Sequence, residues 1–178
     1  MTSDWRDTLA RSGLIESLAA HDARIAGTLP LGIDVPGSDV DILCHAPEPD
    51  RFAERVWNLC CEFEGFALYR WVRPRRPVIA TFAIDGLAFE LFGDPRPNHE
   101  QDGWRHFVVE RRLLAIGGAV LRQAVLERRA SGAKTEPAFA DALRLEGDPY
   151  AAMTRLSASS DAALEDCLNR AGLPDGRR

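Results

Sequence analysis

The sequence has few cysteines, no collagen-like excess of glycine and no long hydrophobic run, and each of these excludes a class of protein. Four cysteines in 178 residues are too few for a disulfide scaffold and show no Cys-x-x-Cys pair, so we interpret them as reduced thiols. Fourteen glycines exclude a collagen-like repeat. No apolar run approaches the roughly twenty residues of a membrane span, and no apolar signal core follows the N-terminus. We therefore expect a cytoplasmic protein without a membrane partner.

The composition is that of an ordinary globular chain. Hydrophobic residues make up 46% and charged residues 28%, a balance that disfavours disorder and predicts one compact domain over 1–178. The formal net charge of −5 argues against a broad surface for a nucleic-acid duplex, so nucleic acid is not the expected partner.

The spacing of apolar residues in the first half indicates strands alternating with helices. Helical spacing covers 3–20 and 51–64, whereas extended runs cover 23–29, 40–44, 66–72, 78–84 and 87–92. The pair Asp85-Gly86 tolerates the positive φ angles of a type I′ turn, which predicts an antiparallel hairpin between the last two runs.

The second half carries helical patterns alone. Predicted helices cover 103–129, with a kink at Gly117-Gly118, then 135–145 and 159–171, with a break at Gly147-Asp148-Pro149. The predicted fold is therefore α+β, a mixed sheet flanked by helices. A sheet-containing catalytic core over 1–100 is followed by a helical part over 101–172.

Three acidic residues stand in unusual settings. Asp39 and Asp41 are two apart in the run that includes Val40 and Ile42, so on a strand they point to the same side, close enough to share a hard cation. Glu90 is flanked by large apolar residues in another predicted strand and needs a partner there. If the two strands are neighbours, the three carboxylates converge on one face and favour magnesium.

The residues around these acids resemble the signature of the polymerase-β-like nucleotidyltransferase superfamily. Gly27-Thr28, Gly32 and the run Ser38-Asp39-Val40-Asp41 align with the Gly-Ser, the next glycine and the Ser-Asp-x-Asp of that signature without a gap. Glu90 matches the third carboxylate, which the superfamily carries on a later strand. An isolated Asp-x-Asp pair is a weak signal, and the matching glycines strengthen it.

A bacterial family of uncharacterised domains within that superfamily is similar over 23–156. The similarity rests on further blocks, namely Phe92-Gly93, Arg105-His106 with Glu110, Arg112-Leu113-Leu114, the run 134–140 and the run 147–150.

The resemblance implies a nucleotidyltransferase that moves a nucleoside monophosphate from an NTP, ATP foremost, to a hydroxyl of an unknown small molecule or protein. Two Mg²⁺ ions would be held by Asp39, Asp41 and Glu90, and Glu90 would help to deprotonate or orient the acceptor hydroxyl. The implied nucleotide-binding residues are Gly27, Thr28, Gly37, Ser38 and Lys134.

Some residues allow two interpretations. Leu31 stands where many small relatives carry a basic residue, which favours the alternative of a non-catalytic nucleotide-binding or interaction module on the same fold. A weaker option is a hydrolase with water as acceptor. The basic cluster from Arg70 to Arg76 is a solvated hairpin tip or a phosphate site.

Polar residues of the long predicted helix are the acceptor-pocket candidates. Arg105, His106 and Glu110 lie on this otherwise apolar helix, and the last two are four residues apart. They line an acceptor pocket, or else they form an ion pair on the helix surface.

Overall fold

The computed structural model describes residues 4–72 and 76–173, and in this part the chain forms eight α-helices and five β-strands. The helices are α1 Trp5–Ser12, α2 Leu14–Ser17, α3 Thr28–Leu31, α4 Pro49–Cys60, α5 Asp102–Ala130, α6 Thr135–Ala142, α7 Pro149–Ser157 and α8 Asp161–Ala171. The strands are β1 Arg24–Ala26, β2 Val40–His45, β3 Glu64–Arg70, β4 Val78–Ile84 and β5 Leu87–Asp94. None of the described helices combines the length and apolar character that crossing a bilayer requires.

The five strands form one mixed sheet in the order β1-β2-β5-β4-β3. Strands β2 and β5 are parallel, and the other neighbouring pairs are antiparallel. The predicted hairpin is present, since Asp85 and Gly86 join β4 to β5 at φ values of 54° and 77°. The sheet and its flanking helices agree with the predicted α+β class.

One face of the sheet packs into a hydrophobic core. Alternate residues of β2 and β5, such as Ile42 and Leu91, are fully buried against helical residues that include Phe52 and Val56 of α4. Burial of each such side chain contributes about 1.5–3 kcal/mol relative to exposure. Helix α4 therefore covers this face of the sheet, and the intervening residues of the strands project from the opposite face.

Chain conformation near glycines and caps explains where the predicted helices differ from the observed ones. Gly13 adopts φ 63° and divides the predicted helix 3–20 into α1 and α2. The extended run 23–29 is a strand only over β1, because α3 begins at Thr28. Helix α4 ends at Cys60, well before the predicted end, and β3 already begins at Glu64.

The predicted break around residue 148 is also the start of a helix. The Asp148 side chain accepts a hydrogen bond of 2.7 Å from the Ala151 backbone N–H, and Pro149 occupies the first turn of α7. Proline suits that position because a backbone N–H in the first turn would have no partner within the helix, so proline loses no hydrogen bond there. The kink predicted in the long helix is present at Gly118, which has φ 55° and ψ −143°.

The chain divides into two compact units. The first, here called the sheet unit, comprises Met1–Pro30 and Gly37–Trp104 in its described residues. The second, the helical unit, comprises Leu31–Pro36 and Arg105–Arg178 in its described residues. Within the helical unit, the Arg122 guanidinium donates hydrogen bonds to the backbone carbonyls of Leu31 and Gly32. A short segment from the first half of the sequence is therefore tied to the second half.

Candidate functional site

Two of the predicted carboxylates stand side by side on adjacent strands. Asp41 of β2 is the direct partner of Glu90 in β5, in the parallel part of the sheet. Neighbouring strands lie about 4.8 Å apart, and partners at the same level project to the same face. The face they share is opposite the one that buries Ile42 and Leu91. The condition set for the convergence of these carboxylates, that the two strands are neighbours, is therefore met.

The remaining predicted carboxylate, Asp39, lies at the N-terminal end of β2. Asp39 immediately precedes β2, which starts at Val40, so it lies just outside the strand rather than within it. Burial raises the pKa of Glu90, and the negative charge of Asp39 raises it further. Asp39 is thus near enough to Glu90 for its charge to be felt, and the face favours a proton or a cation at Glu90.

A tight approach of the backbone adds a glycine to this site. Gly27 follows β1, whose residue Ala26 pairs with Asp41, and it adopts φ 77°. A Cβ atom at Gly27 would overlap the Asp41 carboxylate. Glycine is therefore required here for two reasons: its backbone lies in the left-handed region, and it leaves space for the acid. The signature glycine and the signature aspartate are in contact across the sheet.

The side chains present fit a divalent cation by their donor chemistry. Asp39, Asp41 and Glu90 supply the carboxylate oxygens that Mg²⁺ prefers. Across residues 4–72 and 76–173, however, no three His, Cys, Asp or Glu side chains are gathered as a metal-binding group. Asp41 and Glu90 are paired on one sheet face and Asp39 immediately precedes β2, and the predicted metal site stays a prediction.

The other predicted phosphate-binding residues of the sheet unit flank these acids in sequence. Thr28 is buried at 7% exposure and begins α3, while Ser38 precedes Asp39 and is half-buried. Gly37 has φ 88°, and a Cβ atom there would meet no heavy atom within 4 Å. The backbone conformation therefore favours glycine at 37, although no close contact requires it.

The remaining predicted residues belong to the helical unit. Lys134 is exposed at the N-cap of α6, and Arg105 is half-buried in α5. His106 and Glu110 are both buried, at 5% and 3% exposure, so the interpretation as a surface ion pair is wrong. Their predicted roles toward nucleotide and acceptor stay predictions.

His106 joins three helices through its two ring nitrogens. Nδ1 lies 3.0 Å from Oε1 of Glu136 in α6, and Nε2 lies 2.8 Å from Oγ1 of Thr154 in α7. Burial raises the pKa of Glu136, but the hydrogen bond with His106 and the charges of His106 and Lys134 outweigh it and bring the pKa below its ordinary value. Sequence reasoning missed Glu136 and Thr154, which lie 30 and 48 residues from His106.

The basic cluster is only partly described. Arg70 pairs with the exposed Asp50, and Arg76 has φ 45°. Arg73 and Arg75 lie outside the described residues. The choice between a solvated tip and a phosphate site therefore stays open for this cluster.

A known family matches most of the chain. Residues 7–156 match the family described as a domain of unknown function, DUF4269. The chain belongs to the DUF4269 family. The carboxylates at 39, 41 and 90 and the glycine at 27 all lie inside the matched range. No curated protein matches this DUF4269 chain.

Solved structures show the fold of the DUF4269 chain. A structure of Cid1, described by its RNA terminal uridylyl transferase activity, has a TM-score of 0.52 at 18% identity, over 70% of this chain and 37% of Cid1. A Cid1 poly(U) polymerase structure with MgGTP bound has a TM-score of 0.52 at 15% identity, and the match covers 86% of this chain and 49% of that one. A GLD-2/RNP-8 structure has a TM-score of 0.55 at 11% identity, and the match covers 89% of this chain and 65% of that one.

The chain therefore spans less than two thirds of each of these three chains. At such identities the similarity concerns the fold, which is that of the polymerase-β-like nucleotidyltransferases. The predicted fold class is confirmed.

Proposed function

We propose that this DUF4269 protein is a metal-dependent nucleotidyltransferase, which transfers a nucleoside monophosphate from an NTP to a hydroxyl group of an acceptor. The observation that carries the proposal is the pairing of Asp41 with Glu90, with Gly27 packed against Asp41. The three acids lie around the turn at Gly27, where no side chain takes up space. This arrangement suits the phosphates of an NTP, which bind together with Mg²⁺.

Each acidic residue has a stated role in the proposal. Asp39, Asp41 and Glu90 would hold Mg²⁺, two ions in all, and the bound metal neutralises phosphate charge. The acceptor oxygen forms a bond to the α-phosphorus while the bond from that phosphorus to the bridging oxygen breaks, and pyrophosphate leaves. In the proposal, Glu90 accepts or orients the proton of the acceptor hydroxyl, because its carboxylate stands beside Asp41 on the sheet face.

The nucleotide and the acceptor are narrower parts of the proposal. Gly27, Thr28, Gly37 and Ser38 would bind the phosphates of an NTP, with ATP as the first candidate. Two of the similar structures are described as an RNA terminal uridylyl transferase and as a poly(U) polymerase with MgGTP. The net charge of −5 disfavours a long nucleic acid as acceptor here and favours a small molecule or a protein side chain.

The test is transfer of label. The protein is incubated with Mg²⁺, cell extract and each of four NTPs radiolabelled at the α-phosphate, and labelled acceptor is counted. We expect transfer that Glu90→Gln lowers by about 10²–10⁴-fold, as for loss of a general base, and that Asp39→Asn also abolishes. Asp85→Asn is the matched control, because Asp85 is an exposed carboxylate at the β4–β5 turn that pairs with Arg11. Transfer that survives Asp39→Asn contradicts the proposal.

A non-catalytic nucleotide-binding module is the second candidate. It is favoured by Leu31 in place of a basic residue and by the absence of a gathered metal-binding group in the described residues. Calorimetry with MgATP distinguishes the two. Tight binding without pyrophosphate release in the presence of extract supports the module, whereas release that requires Glu90 supports the enzyme.

A further inference from the structure

An aromatic surface lies on the same sheet face as the carboxylates. Tyr69 in β3 and Trp71 just after it are 44% and 45% exposed, and Phe92 in β5 lies beneath Trp71 with ring centroids 5.9 Å apart and planes at 75°. We call Tyr69, Trp71 and Phe92 the aromatic platform. Contiguous exposed apolar surface is typical of binding sites, whereas single exposed apolar side chains are common on any surface.

Strand register places this platform next to Glu90. Tyr69 pairs with Ile79, and Ile79 pairs in turn with Phe92, so the three share one level of the sheet. Phe92 is two residues beyond Glu90 in the same strand and therefore projects to the same face. The aromatic platform thus begins one level along the strand from the third carboxylate.

An electrostatic effect supports this proximity. Burial raises the pKa of the Tyr69 hydroxyl, and the negative charge of Glu90 raises it further. The Glu90 charge is therefore close enough to act on the Tyr69 hydroxyl. Trp71 is held in place by a backbone hydrogen bond of 3.2 Å from its N–H to the carbonyl of Pro77, in addition to its contact with Phe92.

The order of strands puts the platform on one side of the acids and the glycine turn on the other. Across the sheet, Gly27 at the end of β1 comes first, then Asp41 in β2, Glu90 in β5 and finally Tyr69 in β3, the edge strand. If the phosphates of the NTP bind at the turn of Gly27, the side of the acids toward Glu90 and β3 is available for the acceptor. That side carries exposed ring faces.

We propose that the aromatic platform binds the acceptor, and that the acceptor is a compound of nucleoside type, with a flat uncharged ring that stacks on Tyr69 and Trp71 and a hydroxyl that reaches Glu90. Ring faces attract other rings by stacking. An anionic group at the same place would be repelled by Glu90 and Asp39, which favours a neutral ring. This inference rests on the proposed function for the transfer step alone, because ring binding needs no transfer.

The experiment measures ring binding directly, with adenosine as the probe. Equilibrium dialysis of labelled adenosine against the full-length protein in Mg²⁺ is compared for the wild type and for Tyr69→Ala, Trp71→Ala and Trp57→Ala. Trp57 is the matched control, since it is 55% exposed in α4 and packs on Phe66 on the core side of the sheet. We expect Tyr69→Ala and Trp71→Ala each to raise the Kd about fivefold or more, and Trp57→Ala to leave it unchanged.

Further arms exclude other occupants and variants that fail to fold. Tyr69→Phe and Trp71→Phe retain a ring and should bind adenosine nearly as well as the wild type. Ribose, which lacks the ring, should not compete, and tetramethylammonium should not either. No binding of adenosine at millimolar concentration, binding that ignores Tyr69 and Trp71, or displacement by ribose or the cation would overturn the proposal.

The proposed function has a separate readout. If adenosine binds the aromatic platform but label transfer does not require Asp39, the nucleotidyltransferase proposal fails and the ring-binding site stands. If transfer requires Asp39 and Glu90 but the platform variants bind adenosine normally, the enzyme stands and the acceptor inference fails.

Discussion

At the scale of single residues, the carboxylate face depends on a position without a side chain. Gly27→Ala places a methyl group where the Asp41 carboxylate lies and adds a left-handed strain of about 1–2 kcal/mol. We expect this variant to lose nucleotide transfer. Gly13→Ala is the matched control, because Gly13 has φ 63° but a Cβ atom there meets nothing within 4 Å.

Urea denaturation and the transfer assay separate the two effects. Both variants should lose free energy of unfolding from backbone strain, Gly27→Ala more than Gly13→Ala because of the overlap with Asp41, and only Gly27→Ala should lose activity. A Gly27→Ala protein as active as Gly13→Ala would show that the contact with Asp41 has no role in the site.

Glu90 should make stability depend on pH. Burial and the charge of Asp39 raise its pKa above the ordinary 4.5 of a glutamate, so the folded state binds the proton more tightly than the unfolded chain. The contribution of this group to stability is fully present below pH 4.5 and is lost as the pH rises through its folded-state pKa. Without divalent ions, stability should therefore decrease over that range.

The measurement is the free energy of unfolding in urea from pH 4 to 8, with a chelator present. Glu90→Gln should flatten the decrease and stabilise the metal-free protein near neutral pH, whereas Glu62→Gln, an exposed carboxyl in the turn before β3, should not. A profile that is the same in wild type and Glu90→Gln would show that the face imposes no cost on that carboxylate.

Sequence reasoning went far at this scale. The spacing of Asp39 and Asp41, the apolar neighbours of Glu90 and the resemblance that added Gly27 selected residues of which the structure pairs Asp41 with Glu90 and packs Gly27 against Asp41. The contact between Gly27 and Asp41 could not be predicted, because it depends on the pairing of β1 with β2. The partners of His106 were equally invisible, since they come from helices far along the chain.

At the scale of elements, His106 is the junction of α5, α6 and α7. Thr154→Val keeps the volume of the side chain but leaves the buried Nε2 of His106 without its partner at 2.8 Å. Loss of a partner for a buried polar group costs about 1–3 kcal/mol. We expect Thr154→Val to reduce the free energy of unfolding by this amount, measured in urea.

Thr154→Ser is the control, because it retains the hydroxyl and should recover most of the loss. If both variants lose the same free energy, the lost methyl contacts rather than the hydrogen bond would account for the effect.

The predicted elements were most accurate where a local chemical signal stood beside the apolar pattern. The hairpin at Asp85-Gly86 and the kink at Gly118 follow from the freedom of glycine and were found where expected. Helix α7 was missed because Gly147-Asp148-Pro149 signals an interruption and an N-terminus equally well. The parallel pairing of β2 and β5 lies beyond local signals, since the paired residues Asp41 and Glu90 are 49 positions apart in the sequence.

At the scale of the whole molecule, thiol reactivity should report the folded state. All four cysteines are in described residues; Cys44, Cys60 and Cys167 are buried, and Cys61 is exposed. Burial, with smaller contributions from Asp22 and Cys61, raises the pKa of Cys44 and Cys60 to about 12. Reaction requires the thiolate, so these thiols should be inert in the native protein.

Titration with a thiol reagent tests this. We expect one cysteine per native chain to react rapidly and all four to react in urea, and Cys61→Ser should remove the rapid reaction. A second rapid equivalent in the native protein would contradict the burial of the other three.

The two compact units do not follow one another simply along the chain. Leu31–Pro36 belongs to the helical unit, although it follows the glycine turn of the sheet unit in sequence. Its buried residues Leu31 and Ile33, at 5% and 0% exposure, read as ordinary apolar positions. Nothing in their local pattern indicates which core they join.

That arrangement means the protein cannot be dissected with one cut. A fragment ending at Trp104 would keep Leu31 and Ile33 but lose the Arg122 guanidinium that holds their loop, while a fragment starting at Arg105 would lack an apolar piece of its own interior. Two fragments separated between Trp104 and Arg105 should each fold poorly and aggregate. Function should return only when both fragments are expressed together.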